Sequence, residues 1–281
     1  VAFIASFVAL DSAGKIPLSS REAALFWRIA GGMTLGIGIS SMHFIGMLAM
    51  DLSMSMSYNA SLTVLSMFIA VGSSLFALWL VSCDRLRLRR LLPGALVMGS
   101  GIVAMHYTGM AALEVMPGII WDKVWVAISV VIALAASLAA LWLTFRLRRE
   151  AAQVVLMRMG AAITMGIAIA GMHYAGMKAA QFPMSTMVHH EGINGSWLAV
   201  LVSVVALSIL GITLLVSMLD ARLQARTALL ASSLAEANRE LAQLALHDTL
   251  TRLPNRILLE DRLDQAISKA DREGNHFALM F

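Results

Sequence analysis

Apolar runs of about 20 residues, each long enough to cross a bilayer as a helix, constrain this chain more than any other feature. The sequence reads as seven membrane-embedded segments: Val1–Leu10, Trp27–Met50, Ser61–Ser82, Leu91–Leu113, Val124–Phe145, Met157–Met177 and Ser196–Leu219. Only 14% of the residues are charged, against roughly a quarter in soluble domains. The fold class is therefore an all-α polytopic membrane protein whose solvent is the lipid bilayer. The net charge of +4 is no sign of nucleic-acid binding, because the basic residues gather in short loops between apolar runs. A single cysteine, Cys83, excludes an intrachain disulfide and a cysteine metal cage. The first segment reads as the end of a helix that starts earlier, and both chain ends read as cut.

Loop charge sets the orientation. The loops at 11–28, 83–92 and 146–158 carry Lys15, Arg21, Arg28, Arg85, Arg87, Arg89, Arg90, Arg146, Arg148, Arg149 and Arg158. The alternate loops offer Lys123 and Lys178. The positive-inside rule places the basic loops in the cytoplasm, with Val1 starting outside and the tail after Leu219 inside.

One six-residue pattern occurs three times: Met42-His43-Phe44-Ile45-Gly46-Met47, Met105-His106-Tyr107-Thr108-Gly109-Met110 and Met172-His173-Tyr174-Ala175-Gly176-Met177. Ionisable groups inside apolar helices are costly and usually functional. All three histidines fall in spans that run from inside to outside, at one depth in the outer half. Ser74–Leu80 recurs as Ser137–Leu143 at the same 63-residue offset that separates His43 from His106; His173 follows 67 residues later. The unit is thus a two-helix repeat, and three copies predict pseudo-threefold packing of the histidine helices about a common axis. Glycines recur seven before each histidine (Gly36, Gly99, Gly166) and three after it (Gly46, Gly109, Gly176), where small residues permit close helix approach.

Residues four apart share a helix face. His43 with Met47, His106 with Met110 and His173 with Met177 can therefore present three imidazoles and three thioethers to one region. Imidazole suits copper, zinc or iron, while thioether favours Cu(I). Met42, Met105 and Met172 project elsewhere, as packing or as support for the ligands. Asp51, Glu114 and Gln181 follow each histidine by eight residues at the outer edge, among Met54, Met56, Met116, Met184, Met187, His189 and His190. The plainer alternative is that each histidine bonds a neighbouring helix and each methionine fills space. Haem held between two histidines is a further alternative. No catalytic constellation is present in the sequence.

After Leu219 the composition changes. Leu223, Thr227, Leu230, Leu234, Ala237, Leu241 and Leu244 alternate four and three apart. This is a heptad seam that predicts a cytoplasmic coiled-coil linker over 220–246, pairing two copies of the chain; the plainer alternative is a single amphipathic helix lying on a domain.

The three histidine motifs resemble the MHYT domain of bacterial membrane sensors, over residues 1–219. The resemblance implies a seven-span sensor in the bacterial inner membrane, with copper as the proposed metal and oxygen, carbon monoxide or nitric oxide as proposed signals. His247-Asp248-Thr249-Leu250-Thr251-Arg252-Leu253-Pro254-Asn255-Arg256 resembles the opening of GGDEF domains, the diguanylate cyclase fold, as found in tandem GGDEF–EAL proteins. It implies a helix over 256–272, a first strand at Phe277–Phe281 and an incomplete domain over 247–281. GTP and magnesium would bind parts of that fold that this sequence does not contain, so the chain is expected to have no cyclase activity of its own. The expected role is a sensory input to a cyclic-di-GMP module. Its rivals are a copper transporter and a structural anchor that only dimerises the cyclase.

Overall fold

A computed structural model describes residues 1–49, 57–82, 88–116, 118–147, 154–182, 187–188, 193–248 and 251–274, with 276 and 278. Eight α-helices form among these residues: α1 Ala2–Lys15, α2 Arg21–Leu48, α3 Ala60–Val81, α4 Leu88–Ala111, α5 Lys123–Leu147, α6 Val154–Ala179, α7 Gly195–Leu246 and α8 Arg256–Glu273. Six of them are long and apolar enough to cross a membrane; α1, with 14 described residues, is not. The chain divides into two compact units, Val1–Ser217 and Met218–Phe281.

Helix starts follow local chemistry. The first amides of a helix lack internal partners, and a short polar side chain just ahead of them supplies an acceptor. Asn59 Oδ1 accepts from Leu62 N at 3.2 Å at the start of α3, and Asp122 Oδ1 accepts from Val124 N at 2.8 Å at the start of α5. Ser20 caps α2 and Asn194 caps α7 in the same way. Pro17, in a 3-10 turn at Ile16–Leu18, separates α1 from α2.

In the first unit, α1 to α6 pack in a closed ring in chain order, and α6 returns to α1. The histidine helices α2, α4 and α6 touch one another across the centre. Glycine makes the pairings close. A Cβ on Gly36 would stand 2.5 Å from Val71 Cα, on Gly99 3.1 Å from Leu134 Cα, and on Gly166 3.3 Å from Phe3 Cα. Each glycine seven before a histidine therefore seats an inner helix against an outer one: α2 on α3, α4 on α5, and α6 on α1.

The last pairing refines the two-helix repeat. The outer place beside α6 belongs to α1, and α7 is the added helix. Ser6, Ala9 and Leu10 of α1 correspond to Ser74, Ala77 and Leu78 of α3 and to Ser137, Ala140 and Leu141 of α5, and all nine are buried. The helix that follows the third motif diverges in sequence because its packing position differs. It meets the bundle through Leu198, Ala206 and Leu210 and through two polar ties. Thr213 Oγ1 lies 3.0 Å from Thr34 Oγ1, and Ser217 bonds Lys15 and Asp11.

Three short antiparallel ladders link the segments that follow α2, α4 and α6. β1 Ser57–Tyr58 pairs with β6 Ile193–Asn194, β2 Val115–Met116 with β5 Met187–Val188, and β3 Ile120–Trp121 with β4 Ala180–Gln181. They form a cap over one end of the bundle.

In the second unit, the seam residues Leu223, Leu230, Leu234, Leu241 and Leu244 are exposed. A turn then leads to α8. Asn255 joins the two helices there: its Nδ2 donates to Ala245 O at 2.7 Å, and its Oδ1 accepts from Leu258 N at 3.1 Å. The α8 range agrees with the helix expected at 256–272. The expected strand at Phe277–Phe281 lies outside the described residues apart from Ala278, as do Cys83, Arg85 and Arg87.

Candidate metal centre: a ring of three histidines

The inner helices bring His43, His106 and His173 to one point. Each is buried, with exposures of 0%, 0% and 1%. Nδ1 of His43 lies 3.1 Å from Nδ1 of His173 and 3.1 Å from Nδ1 of His106. One ring nitrogen from each residue falls within 4.8 Å of the other two. The rings meet edge to face, with centroids 4.8, 5.1 and 5.3 Å apart, like three blades about an axis. The rings meet from the same motif position on each helix, which fits three helices running in the same direction, as the repeat predicts.

This arrangement does not satisfy itself. A neutral imidazole carries one N–H donor and one bare acceptor nitrogen. His43 Nδ1 takes part in both short contacts but can donate only one proton. Nε2 of all three residues is buried without a hydrogen-bond partner. An unpaired buried polar atom costs about 1–3 kcal/mol, so three of them are a substantial cost in a packed core. The Nδ1 atoms are the ones that converge, and their lone pairs, gathered in an apolar enclosure, suit a cation. Three nitrogens bound at about 2.0–2.1 Å to one ion would stand about 3.3–3.5 Å apart, and the two His43 contacts at 3.1 Å are close to this.

The other sequence-predicted residues sort by side. Met47, Met110 and Met177 are buried on the cap side, in a cluster with Phe44, Tyr58, Leu113 and Leu198. Met105 and Met172 are buried on the opposite side with Ile39, Ile102 and Ile169, and Met42 packs half-buried against that cluster. The ring thus separates two methionine sets. Glu114 belongs to the cap: its Oε1 accepts from Asn59 Nδ2 at 3.4 Å and its N–H donates to Ser57 O at 3.0 Å. Met116 and Met187 are register partners in the β2–β5 ladder. Asp51, Met54, Met56, Met184, His189 and His190 lie outside the described residues.

Several supporting residues escaped the sequence reading. Tyr58 is fully buried over Phe44, with ring centroids 6.1 Å apart. Burial pushes its phenol up to about 12. Ser66 Oγ donates to Met105 O at 2.8 Å, and Tyr107 OH lies 2.8 Å from Ser129 Oγ. Ser66 and Ser129 are 63 residues apart, so the repeat offset was the signal that could have found them. The aromatic residue after each histidine has no common role: Tyr107 bonds Ser129, Phe44 has no hydroxyl, and Tyr174 is 62% exposed.

Away from the cap, the axis closes. Residues four before each histidine (Ile39, Ile102, Ile169) and eight before it (Leu35, Met98, Met165) line a cavity of about 20 Å³, room for about one water.

A helical membrane bundle with a thrice-repeated histidine helix is the class that fold and site define. The chain belongs to the MHYT family, described as a bacterial signalling protein N-terminal repeat, which matches residues 36–94, 99–157 and 166–228. The diguanylate cyclase GGDEF domain matches residues 245–281. The chain is 56% identical over its whole length to the bifunctional diguanylate cyclase/cyclic di-GMP phosphodiesterase MucR of Pseudomonas aeruginosa, of which it covers 41%. It is 32% identical over its whole length to the cyclic di-GMP phosphodiesterase NbdA of the same organism, covering 37% of that protein. It is 35% identical over 65% of its length to the signaling protein YkoW of Bacillus subtilis, covering 23% of it. The chain thus spans about two fifths or less of these relatives. No solved structure matches it.

Proposed function

We propose that this chain is the sensory input of a cyclic-di-GMP signalling protein and that its histidine ring binds one copper ion. The observation that carries the reading is the ring itself: three buried imidazoles, with His43 Nδ1 at 3.1 Å from Nδ1 of both His106 and His173 and one ring nitrogen of each within 4.8 Å of the other two. Imidazole nitrogens suit copper, zinc and iron. The thioethers of Met47, Met110 and Met177 on the cap side favour Cu(I), either as ligands or as a soft lining. A bound ion would supply charge and an open coordination position at which oxygen, carbon monoxide or nitric oxide could attach. Haem fits less well, because rings in mutual contact leave no slot for a porphyrin. Conduction through the axis fits less well too, because the isoleucine ring and the Leu35, Met98 and Met165 layer close it.

The cap faces outward, on the argument of the basic loops at the opposite end, and the membrane is the bacterial inner membrane. The route of the signal is a set of packed contacts. Phe44, next to His43, lines a cavity of about 210 Å³ whose other wall is Leu198, Leu201, Val202 and Val205 of α7. At the far end, Arg158 Nη1 donates to Asp11 Oδ1 at 3.2 Å, and Lys15 Nζ donates to Ser217 Oγ at 2.7 Å. Asp11 also accepts from Ser217, so α1, α6 and α7 share one carboxylate. The exposed heptad residues pair two chains, and the state of the ring alters how their output domains meet. Coupling of this kind requires two packings with different affinity for the ligand. MucR and NbdA name the activities this input would govern, cyclase and phosphodiesterase; the chain itself carries no Gly-Gly-Asp-Glu-Phe sequence and is proposed to have neither.

Elemental analysis of purified protein tests the reading. About one copper per chain is expected, falling together in His43→Ala, His106→Ala and His173→Ala. Copper flux in proteoliposomes would favour transport instead, and a Soret band would replace copper by haem.

A further inference from the structure

Each motif glycine lies three residues after its own histidine, yet none of them serves that histidine. A Cβ on Gly109 would stand 2.3 Å from Nε2 of His43, on Gly176 2.2 Å from Nε2 of His106, and on Gly46 2.2 Å from Nε2 of His173. The order is cyclic. The imidazole of α2 rests on the glycine of α4, that of α4 on α6, and that of α6 on α2. A Cβ at such a distance forces a shift. An imidazole has only two torsions and is wedged between two others, so it has little room to yield.

From this we infer that Gly46, Gly109 and Gly176 are positioning residues, each seating the histidine of the neighbouring helix so that Nε2 faces backbone and Nδ1 faces the axis. The seat selects the nitrogen. With Nε2 laid against a glycine, Nδ1 is the atom left to meet a ligand, and the ring binds through three Nδ1 atoms. The recurring spacing within each copy is therefore a contact between copies: a side chain added to one glycine on one helix misplaces a ligand carried by another. The ligand consequence rests on the ring being the metal centre; the seating does not.

A double-mutant cycle on the whole chain, metal-free in detergent with a chelator present, separates the seat from ordinary helix packing. Gly109→Ala is compared in the wild-type, His43→Ala and His106→Ala backgrounds, with Gly72→Ala, which meets nothing within 4 Å, as control. The expected result is a lower unfolding midpoint for Gly109→Ala in wild type and in His106→Ala, and a clearly smaller loss in His43→Ala, where only Ser66 Oγ at 3.2 Å still crowds the added Cβ. Equal losses in all backgrounds, or none in any, overturn the seating. Should Gly109→Ala fail to fold alone, recovery of folded protein in His43→Ala carries the same test, and failure to recover overturns it. On protein whose histidines carry 15N only at Nε2, loaded with Cu(II), pulsed electron paramagnetic resonance tells whether the remote ring nitrogen is the labelled one. Coupling to Nε2 from Nδ1-bound imidazoles is expected, and Nε2-bound imidazoles would overturn the selection. A wild-type protein that binds no copper would remove the proposed function, while the metal-free cycle would still decide the seating.

Discussion

Arg158→Ala should loosen the bundle where the last helix leaves it. Arg158 is 8% exposed. Its Nη1 donates to Asp11 Oδ1 at 3.2 Å, and Nε and Nη2 both donate to Leu147 O at 3.4 Å. The side chain passes over Gly14, where a Cβ would collide with Nη2. Truncation therefore leaves two acceptors short of a donor, one of them a carbonyl at the end of α5 that helix geometry cannot satisfy. Breaking a buried ion pair costs about 3–5 kcal/mol. Asp11 keeps Lys15 at 3.5 Å and keeps Ser217, so the loss belongs at the low end, about 3 kcal/mol. Asp11→Ala leaves the more deeply buried guanidinium unneutralised and should cost more. The two changes share one pair, so the double variant should fall short of additivity by at least about 1 kcal/mol. Equilibrium unfolding in mixed micelles, followed by circular dichroism, reads all three. A loss below about 0.5 kcal/mol for Arg158→Ala, or full additivity, would refute the claim that this carboxylate ties α1, α6 and α7 together.

Other expectations are smaller. Gly36→Ala should destabilise, since its Cβ would meet Val71 Cα at 2.5 Å, whereas Gly72→Ala should be neutral or stabilising by up to about 1 kcal/mol. Tyr107→Phe should cost about 1 kcal/mol through the lost bond to Ser129, and Tyr174→Phe nothing measurable. Asn255→Ala should weaken the second unit by about 1–2 kcal/mol, because it caps α8, visible as earlier loss of amide protection around 245–258. Tyr58 titrates near 12 when folded against 10.0 unfolded; the raised value means its contribution is complete below pH 10 and is lost as pH climbs through 12. Tyr58→Phe should flatten that alkaline loss of stability.

Much of this architecture is legible without coordinates, for physical reasons. A bilayer forces backbone polar groups into helices, so span positions follow from apolar length: Ser61–Ser82 and Val124–Phe145 fall within two residues of the ends of α3 and α5. Each histidine falls about seven to nine residues before the outer loop, which implied a shared depth, and the three rings do meet at one point. Four things were less visible. The outer partner of α6 is α1, since Ser6-x-x-Ala9-Leu10 is too short a match to stand out before its position is known. The polar tie at Asp11 looks in sequence like topology-setting charge, because Lys15 and Arg158 obey the positive-inside pattern while also pairing. The cap was missed because two-residue ladders carry no periodicity. The glycine after each histidine reads in sequence as local packing, since nothing in a linear motif says that its contact is with another copy.

The central claim is that the three histidines are one metal site. Copper content per chain, measured by mass spectrometry on purified wild type and on the three single histidine-to-alanine variants, tests it most directly. About one ion in the wild type and a parallel loss in all three variants is the predicted result. Unchanged copper in any one of them, or none in the wild type after copper-supplemented purification, would contradict it.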